Sequence, residues 1–369
     1  MLALPCKNKD KEVLISGMRD HTSGQVVIVG GGIAGLITAR LLSENGTPFA
    51  IIERSARLGG HTKDWACMAT DKCNRCHSCA VFDYEDLVAS SPNGEILLRH
   101  ELFSVTRSKS GLHSVGIRNL DSGAERELQS MALVLAVGFE TFDPTEKGFW
   151  GYGTFEGVMT LSDLNSLMRL DELNKLRPDN EKPLNLAFFQ CVGSRDKAIG
   201  ANYCSQYCCA AAIRAALRIL HKYPDSKIAI FYIDLQISGK AARTLVDQAQ
   251  EMGVRFLQGV PGEIQPSEDG ELKVIVERNG RNVVERFNRI VLSTGQRPSS
   301  SASAISSMTE APLNEFGFFQ TRSQLDLARS PLDRIYIAGS CSGPANIPDV
   351  AMNAGKVVSA IIRDLELAI

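Results

Sequence analysis

Four cysteines, Cys191, Cys204, Cys208 and Cys209, form the most specific chemical pattern in this chain. They lie in Gln190-Cys191-Val192-Gly193-Ser194-Arg195-Asp196 and Tyr203-Cys204-Ser205-Gln206-Tyr207-Cys208-Cys209, spaced C-x12-C-x3-C-C. Four thiolates are the ligand set of a [4Fe-4S] cluster, and two adjacent cysteines opening a helix can reach different corners of one cubane. Structural zinc takes the same ligands but favours paired, closely spaced cysteine knuckles, which this spacing does not supply. The spacing favours one iron–sulfur cluster, with zinc as the alternative.

A second set, Cys67, Cys73, Cys76 and Cys79, is spaced C-x5-C-x2-C-x2-C. Its last three members match the core of a bacterial ferredoxin loop, but Ala80-Val81-Phe82-Asp83 follows and the closing C-P is missing. Two readings stand side by side: a second metal site, or reduced thiols awaiting a partner protein. His77 reads as a solvent-exposed neighbour rather than a ligand. Cys6 and Cys341 read as a thiol on an N-terminal tail and a small buried hydrophobe.

The other chemical centre is a phosphate cradle. Gly30-Gly31-Gly32-Ile33-Ala34-Gly35 fits G-x-G-x-x-G, directly after the apolar strand Gln25 to Gly30 and before a helix running to about Glu44. Phe49 to Glu53 supplies the next strand, and Glu53 stands about 20 residues on, where a ribose hydroxyl acceptor belongs. The glycines let backbone N–H groups approach a pyrophosphate at the positive end of the helix.

The elements that must hold these centres read as a doubly wound α/β sheet with a second α/β unit inserted in it. Residues 1–23 form an N-terminal arm, read as neither signal peptide nor anchor. The first domain starts over 24–155, with a cysteine-bearing excursion at 61–92 and a β-meander returning at Ala132 to Val137. Residues 140–183 read as linker with helices. The inserted domain, 156–297, carries the quartet after the buried strand Leu184 to Gln190. It continues with a strand at Lys227 to Ile233 and a helix at about Lys240 to Met252, and it closes on Ile290 to Gly295. Residues 298–369 complete the first domain through Arg334 to Gly339 and a last helix opening at Asn346 to Asp349; Ser299 to Ser307 reads as a surface loop.

The 369 residues, 44% hydrophobic, suit two or three domains with proper cores. A net charge of −2 gives no reason to expect nucleic acid or an anionic membrane as partner, and no apolar run is long enough to span a bilayer. Ten cysteines without an export signal point to a reducing cytoplasm and to metal or redox use.

Several segments resemble known flavoproteins. Arg57-Leu58-Gly59-Gly60 is similar to the extended FAD signature of two-domain flavoprotein reductases, Val137-Gly138 to their return motif, and Tyr336 to Pro344 to their C-terminal flavin element. There Ser340 stands where that group usually has Asp. The Gln190–Asp196 and Tyr203–Cys209 motifs, with Gly343-Pro344 and Ile347-Pro348, resemble those of the A-type component of heterodisulfide reductase (HdrA). Lacking appended ferredoxin domains, the chain is most similar to the short forms in sulfur-oxidising Hdr-like complexes and in the quinone-interacting complex of sulfate reducers. The resemblance implies a thioredoxin-reductase-like fold and one [4Fe-4S] cluster on the quartet. It implies FAD against Gly30, Gly32, Ile33, Ala34, Gly35, Glu53, Arg54, Leu58, Gly59, Gly60, Val137, Gly138, Gly339, Ser340, Ile347 and Pro348. The implied partners are B- and C-type iron–sulfur subunits, with the A-type component itself a homodimer. Bifurcating relatives often place a lysine where Arg214 stands. Arginine does not act as a proton donor, so Arg214 would stabilise charge on reduced flavin, or else it is an ordinary surface arginine. The function implied is electron transfer between flavin and cluster. The alternatives are a stand-alone NAD(P)H-dependent disulfide or quinone reductase, and a non-catalytic scaffold that keeps FAD for structure.

Overall fold

The computed structural model describes residues 24–108, 111–177, 183–239, 242–278 and 280–366; the expected arm 1–23, with Cys6, and the start of the helix expected at about Lys240 lie outside them. The first unit begins with β1 (Gln25–Val29), α1 (Ile33–Glu44) and β2 (Phe49–Glu53). Val26 to Ile28 are fully buried, as expected of a parallel strand covered on both faces, which cannot alternate apolar and polar residues. The excursion leads through α2 (Ala80–Ala89) to β3 (Gly94–Leu98), then to a meander of β4 (His100–Arg107), β5 (His113–Asn119) and β6 (Glu125–Leu135). The long β6 has two jobs. Its first half pairs antiparallel with β5, and its second half runs parallel to β1.

The chain leaves this sheet through β7 (Phe139–Thr141) and enters the second unit at β8 (Val158–Thr160) and α3 (Leu161–Arg169). Then come β9 (Asn185–Val192), α4 (Cys208–Lys222), β10 (Lys227–Tyr232), α5 (Ala242–Glu251) and β11 (Arg255–Gln258). The antiparallel strands β12 (Glu263–Pro266), β13 (Leu272–Arg278) and β14 (Arg281–Phe287) precede β15 (Arg289–Thr294). The resulting parallel sheet has the order β11-β10-β9-β15-β8. The return strand β16 (Gln296–Pro298) pairs antiparallel with β7, so the two crossings between the units bind each other. After α6 (Ala302–Thr309), β17 (Ile335–Ile337) joins β6, and α7 (Ile347–Glu366) closes the chain against α1. The first sheet thus has the order β3-β2-β1-β6-β5-β4, with β17 beside β6.

Two expectations are corrected. The stretch 140–183 is more than linker, since β8 extends the second sheet at β15. Residues 299–307 are largely helical, because Ala302 and Ile305 of α6 bury against Val115, Ile117 and Phe319. The cysteine-headed α4 is rich in Ala and Leu, strong helix formers. It buries Ala212, Ile213, Ala216 and Leu217 with Leu186 and Phe188 of β9, and that contact fixes its N-terminus at the carboxyl end of the sheet. No helix among the described residues is long and apolar enough to cross a membrane.

Candidate functional site

The glycines of the cradle have separable tasks. Gly30 has φ +110°, and a side chain there would begin 2.4 Å from the Ala136 carbonyl oxygen. One on Gly35 would begin 2.0 Å from the Gly30 carbonyl oxygen. These two glycines therefore serve close packing of strand, turn and helix. Gly32 is different: it caps α1 with φ −70°, and a Cβ there would meet nothing within 4 Å. The space before it is open, α1 has no acidic residue in its first turn, and no side chain caps its N–H groups. Glu53 braces the turn, its Oε2 accepting from Gly31 N at 2.7 Å and its Oε1 from Ser55 N at 2.8 Å. Gly59 lies alongside, its N–H donating to the Gly31 carbonyl at 2.8 Å.

In front of the cradle is a cleft of about 360 Å³, lined by Gly30, Gly32, Ile33, Ala34, Glu53, Gly59 and Gly60 on one side and by Val137, Gly138 and Ser340 on the other. Of the remaining expected contacts, Leu58 is buried beneath Gly31 and Arg54 is exposed. Gly35 is internal, and Gly339 N donates to Asn353 Oδ1 at 2.6 Å. A wider cleft of about 390 Å³ shares His61 and Phe139 with the first. It holds Ile347 and Pro348 at the start of α7, together with Arg214, Cys76, Trp65 and Tyr207. His61 stacks on Phe139 at 4.8 Å and Trp65 on Tyr207 at 5.9 Å, giving the junction an aromatic wall. None of these four aromatic side chains stands out from the sequence alone. His61 directly follows Gly59-Gly60 and Tyr207 sits inside the quartet motif, and that adjacency is the available signal.

Tyr207 immediately precedes Cys208 in the chain, but none of the four quartet cysteines lines either cleft. Cys208 and Cys209 are the first two residues of α4, and Cys191 lies near the end of β9. All three are buried, and Cys204 is half-buried. Burial, then the Cys209 and Cys204 thiolates, push the Cys191 thiol up to about 11. Burial, then Cys209, Cys191 and Cys204, raise Cys208 well above its ordinary value. Burial and neighbouring thiolates thus raise Cys191, Cys208 and Cys209, which lie within electrostatic reach of the other quartet sulfurs, a situation that a bound cation reverses. The positive end of α4, free of acidic residues, favours thiolates there. Gln206 N also donates to Cys204 Sγ at 3.3 Å. Cys191 (φ 61°), Arg195 (φ 55°) and Gln206 (φ 60°) hold left-handed backbone without being glycine, as do Arg75 and His77 in the second set. Such conformations persist only where surroundings impose them. Among the described residues no three His, Cys, Asp or Glu side chains form a closed metal-ligating group, and all described cysteines are free thiols. What fits a four-thiolate centre is the donor chemistry, the helix end and the buried polar atoms beside it: the Gln190 amide and the Ser194 and Ser293 hydroxyls have no hydrogen-bond partner.

The second set lies on the excursion that walls the wider cleft. Cys67, Cys73 and Cys79 are exposed and Cys76 is half-buried. Burial pushes the Cys76 thiol up, but hydrogen bonds with the Ser78 hydroxyl and backbone outweigh it and leave the pKa lowered. Arg214 is no ordinary surface arginine. Its Nε donates to the Asn74 carbonyl at 2.8 Å and its Nη2 to that of Arg75 at 3.2 Å, while Arg218, one turn on, donates to the Cys67 carbonyl. Helix α4 thus ties the excursion down. Arg214→Ala is expected to cost about 1.5–3 kcal/mol, the worth of charge-assisted hydrogen bonds. Amide exchange over residues 67–79 should accelerate while the first sheet's protection is unchanged.

A glycine cradle in a doubly wound sheet, with a second parallel unit inserted and paired across β7 and β16, defines a two-domain oxidoreductase of the thioredoxin-reductase-like type. The chain belongs to the pyridine nucleotide-disulphide oxidoreductase family, whose sequence model matches residues 24–357. It is 37% identical over 228 residues to the iron–sulfur A-type component of a CoB–CoM heterodisulfide reductase from Methanopyrus kandleri, covering 59% of this chain and 34% of that protein. It is 25% identical over 437 aligned positions to the A-type component of a ferredoxin/F420H2-dependent CoB–CoM heterodisulfide reductase from Methanosarcina acetivorans, covering 95% and 54%. The chain spans between about a third and a half of the length of these curated relatives. Among solved structures it resembles Lactococcus lactis thioredoxin reductase, with TM-score 0.60, 14% identity and coverage of 93% of this chain and 99% of that one. The Cu(II) complex of a C43S mutant of the flavoprotein disulfide reductase RclA from Escherichia coli gives TM-score 0.59 at 17% identity, covering 92% and 71%.

Proposed function

We propose that this chain is the FAD- and [4Fe-4S]-carrying electron-transfer subunit of a heterodisulfide-reductase-like complex of dissimilatory sulfur metabolism. It acts in the cytoplasm as a homodimer with B- and C-type iron–sulfur partners. One observation carries the reading: the cradle's cleft meets the wider cleft at His61 and Phe139, and the wider cleft is walled by Gln206 and Tyr207, two residues between Cys204 and Cys208. The nucleotide cradle and the segment between Cys204 and Cys208 therefore border one cavity system, whose wall carries Cys76 of the second set but none of the quartet sulfurs.

Bound FAD would supply the two-electron chemistry and the cluster the one-electron steps. The chain's residues supply the rest. The open N–H groups of Gly32 and the first turn of α1 receive pyrophosphate, and Glu53 keeps lone pairs for a ribose hydroxyl while bracing Gly31. Ser340 lines the middle of the cleft. The N-terminus of α7, capped by Asn346 Oδ1 accepting from Asp349 N at 3.0 Å, turns a partial positive charge toward Ile347 and Pro348, which the Asp349 carboxylate in the same first turn offsets. Arg214 adds a fixed charge to the same wall without moving a proton. Cys191, Cys204, Cys208 and Cys209 hold the cluster. The exposed second set is available to a metal or to the approach of a partner protein.

A nicotinamide donor bound directly is disfavoured. At the turn after β9, a side chain on Gly193 would begin 2.0 Å from Phe142 Cγ, whereas Gly32 faces open space. The turn of the second unit is thus closed by Phe142 on the side that Gly193 faces. In stopped-flow mixing, dithionite is expected to bleach the flavin band of the purified protein, while NADH and NADPH do so sluggishly or not at all. Rapid stoichiometric bleaching by either nucleotide would favour the stand-alone reductase.

A further inference from the structure

We infer that the Gln190 carboxamide, with the Ser293 hydroxyl opposite it, is the hydrogen-bonding floor of the cysteine quartet and sets the potential at which the quartet's group is reduced. This assignment rests on the reading of the quartet as a cluster site and deepens it with residues outside the ligand set.

Side chains alternate along β9, and Leu186 and Phe188 pack in one core with Ala212 and Ile213 of α4. Gln190 is the next residue on that face, so it projects toward the first turn of α4, where Cys208 and Cys209 stand. On β15, Val291 shares the same core, and Ser293 follows it. The pairing slips at this point: Leu292 pairs with Phe189 but Thr294 with Val192, so both Gln190 and Cys191 stand opposite Ser293. The extra residue is a β-bulge, a device that re-aims a side chain, and Cys191 takes φ 61° within it. The bulge turns the thiol out of the strand's alternation and leaves Gln190 and Ser293 facing α4.

Gln190 is 5% exposed and Ser293 fully buried, yet both amide atoms and the hydroxyl are without partners. A buried polar group left unpaired costs about 1–3 kcal/mol. The core around them is aliphatic and aromatic; the polar groups at this end of the sheet include the Ser194 hydroxyl, also unpartnered, and the sulfurs of the quartet, none of which pairs with Gln190 or Ser293 until a group is bound there. An amide N–H or a hydroxyl aimed at sulfur favours the state with more negative charge, which is the reduced one. Hydrogen bonds to the sulfurs are among the factors that set iron–sulfur potentials, and groups just outside a ligand set commonly tune a metal in this way.

The test is a redox titration of the purified protein, followed by EPR and visible absorption, with iron and flavin assayed on the same samples. Gln190→Leu should keep its iron and FAD while its reduction equilibrium moves toward the oxidised state by up to about tenfold, or ~59 mV for a one-electron couple. Ser293→Ala should move it the same way by less. An iron-replete Gln190→Leu protein with the wild-type potential would overturn the inference. If Gln190→Leu loses iron, Gln190→Glu decides, because it keeps the shape and replaces the donor with a charge. Iron retained at a lowered potential supports the inference, and retained iron at the wild-type potential overturns it. Loss of iron from both variants, with FAD kept, would make Gln190 a structural residue and overturn it too. Wild-type protein without iron is a separate result that fails the cluster reading itself.

Discussion

Cys208→Ala is expected to lose most of its iron while keeping wild-type flavin. Cys208 is 2% exposed, in the first turn of α4. Replacing a thiol there removes one donor of the quartet and a single heavy atom of packing, a cost of roughly 1 kcal/mol on the scale of one buried methylene. The fold should therefore survive. The flavin should survive as well, because its cradle belongs to β1 and α1 of the other unit. Metal analysis and visible spectra on one preparation check both halves. Cys76→Ala is the paired control. Wild-type iron in Cys208→Ala, with iron lost from Cys76→Ala, would transfer the cluster to the second set.

Gly32→Val is expected to abolish flavin binding, giving a folded protein that lacks the flavin absorption bands and retains its iron. At φ −70° the backbone accepts a side chain without left-handed strain, and a Cβ meets nothing within 4 Å. The new side chain therefore fills only the space that a pyrophosphate needs. Neighbouring glycines do not offer this separation. A side chain at Gly30 or Gly35 would strike backbone oxygen at 2.4 or 2.0 Å and disturb the turn itself. A fully flavinated Gly32→Val protein with unchanged circular dichroism would contradict the assignment of the cradle.

The two units are legible in the sequence because their strands are continuous apolar runs. Gln25–Val29, Phe49–Glu53 and Lys227–Tyr232 fall within a residue or so of where hydrophobicity and the flanking glycines put them. The opening of α4 at Cys208 is legible for a similar reason, since Ala-Ala-Ala-Ile-Arg-Ala-Ala-Leu follows Cys209. The short strand β8 is not, because so few residues carry no measurable period. Nor is α6, whose serines mask two buried apolar positions that only the first unit's core reveals. At the candidate site, local motifs mark the cysteines and the glycines. The stacking of Trp65 on Tyr207 and the ties from Arg214 to Asn74 and Arg75 join segments about 140 residues apart, which no local pattern encodes. The bulge at Cys191 is hidden for another reason. It arises from the register of β9 against β15, set by the pairing of two distant strands rather than by either sequence alone.

The most direct test is the composition of the purified wild-type protein, isolated without oxygen: iron, zinc and flavin per chain, with EPR spectra before and after reduction. A [4Fe-4S] cluster on the quartet beside a filled cradle predicts about four irons and one FAD per chain, little zinc, and a reduced-cluster signal. Stoichiometric zinc with no iron and no EPR signal on reduction would leave the flavin cradle standing and contradict the electron-transfer centre at Cys191, Cys204, Cys208 and Cys209.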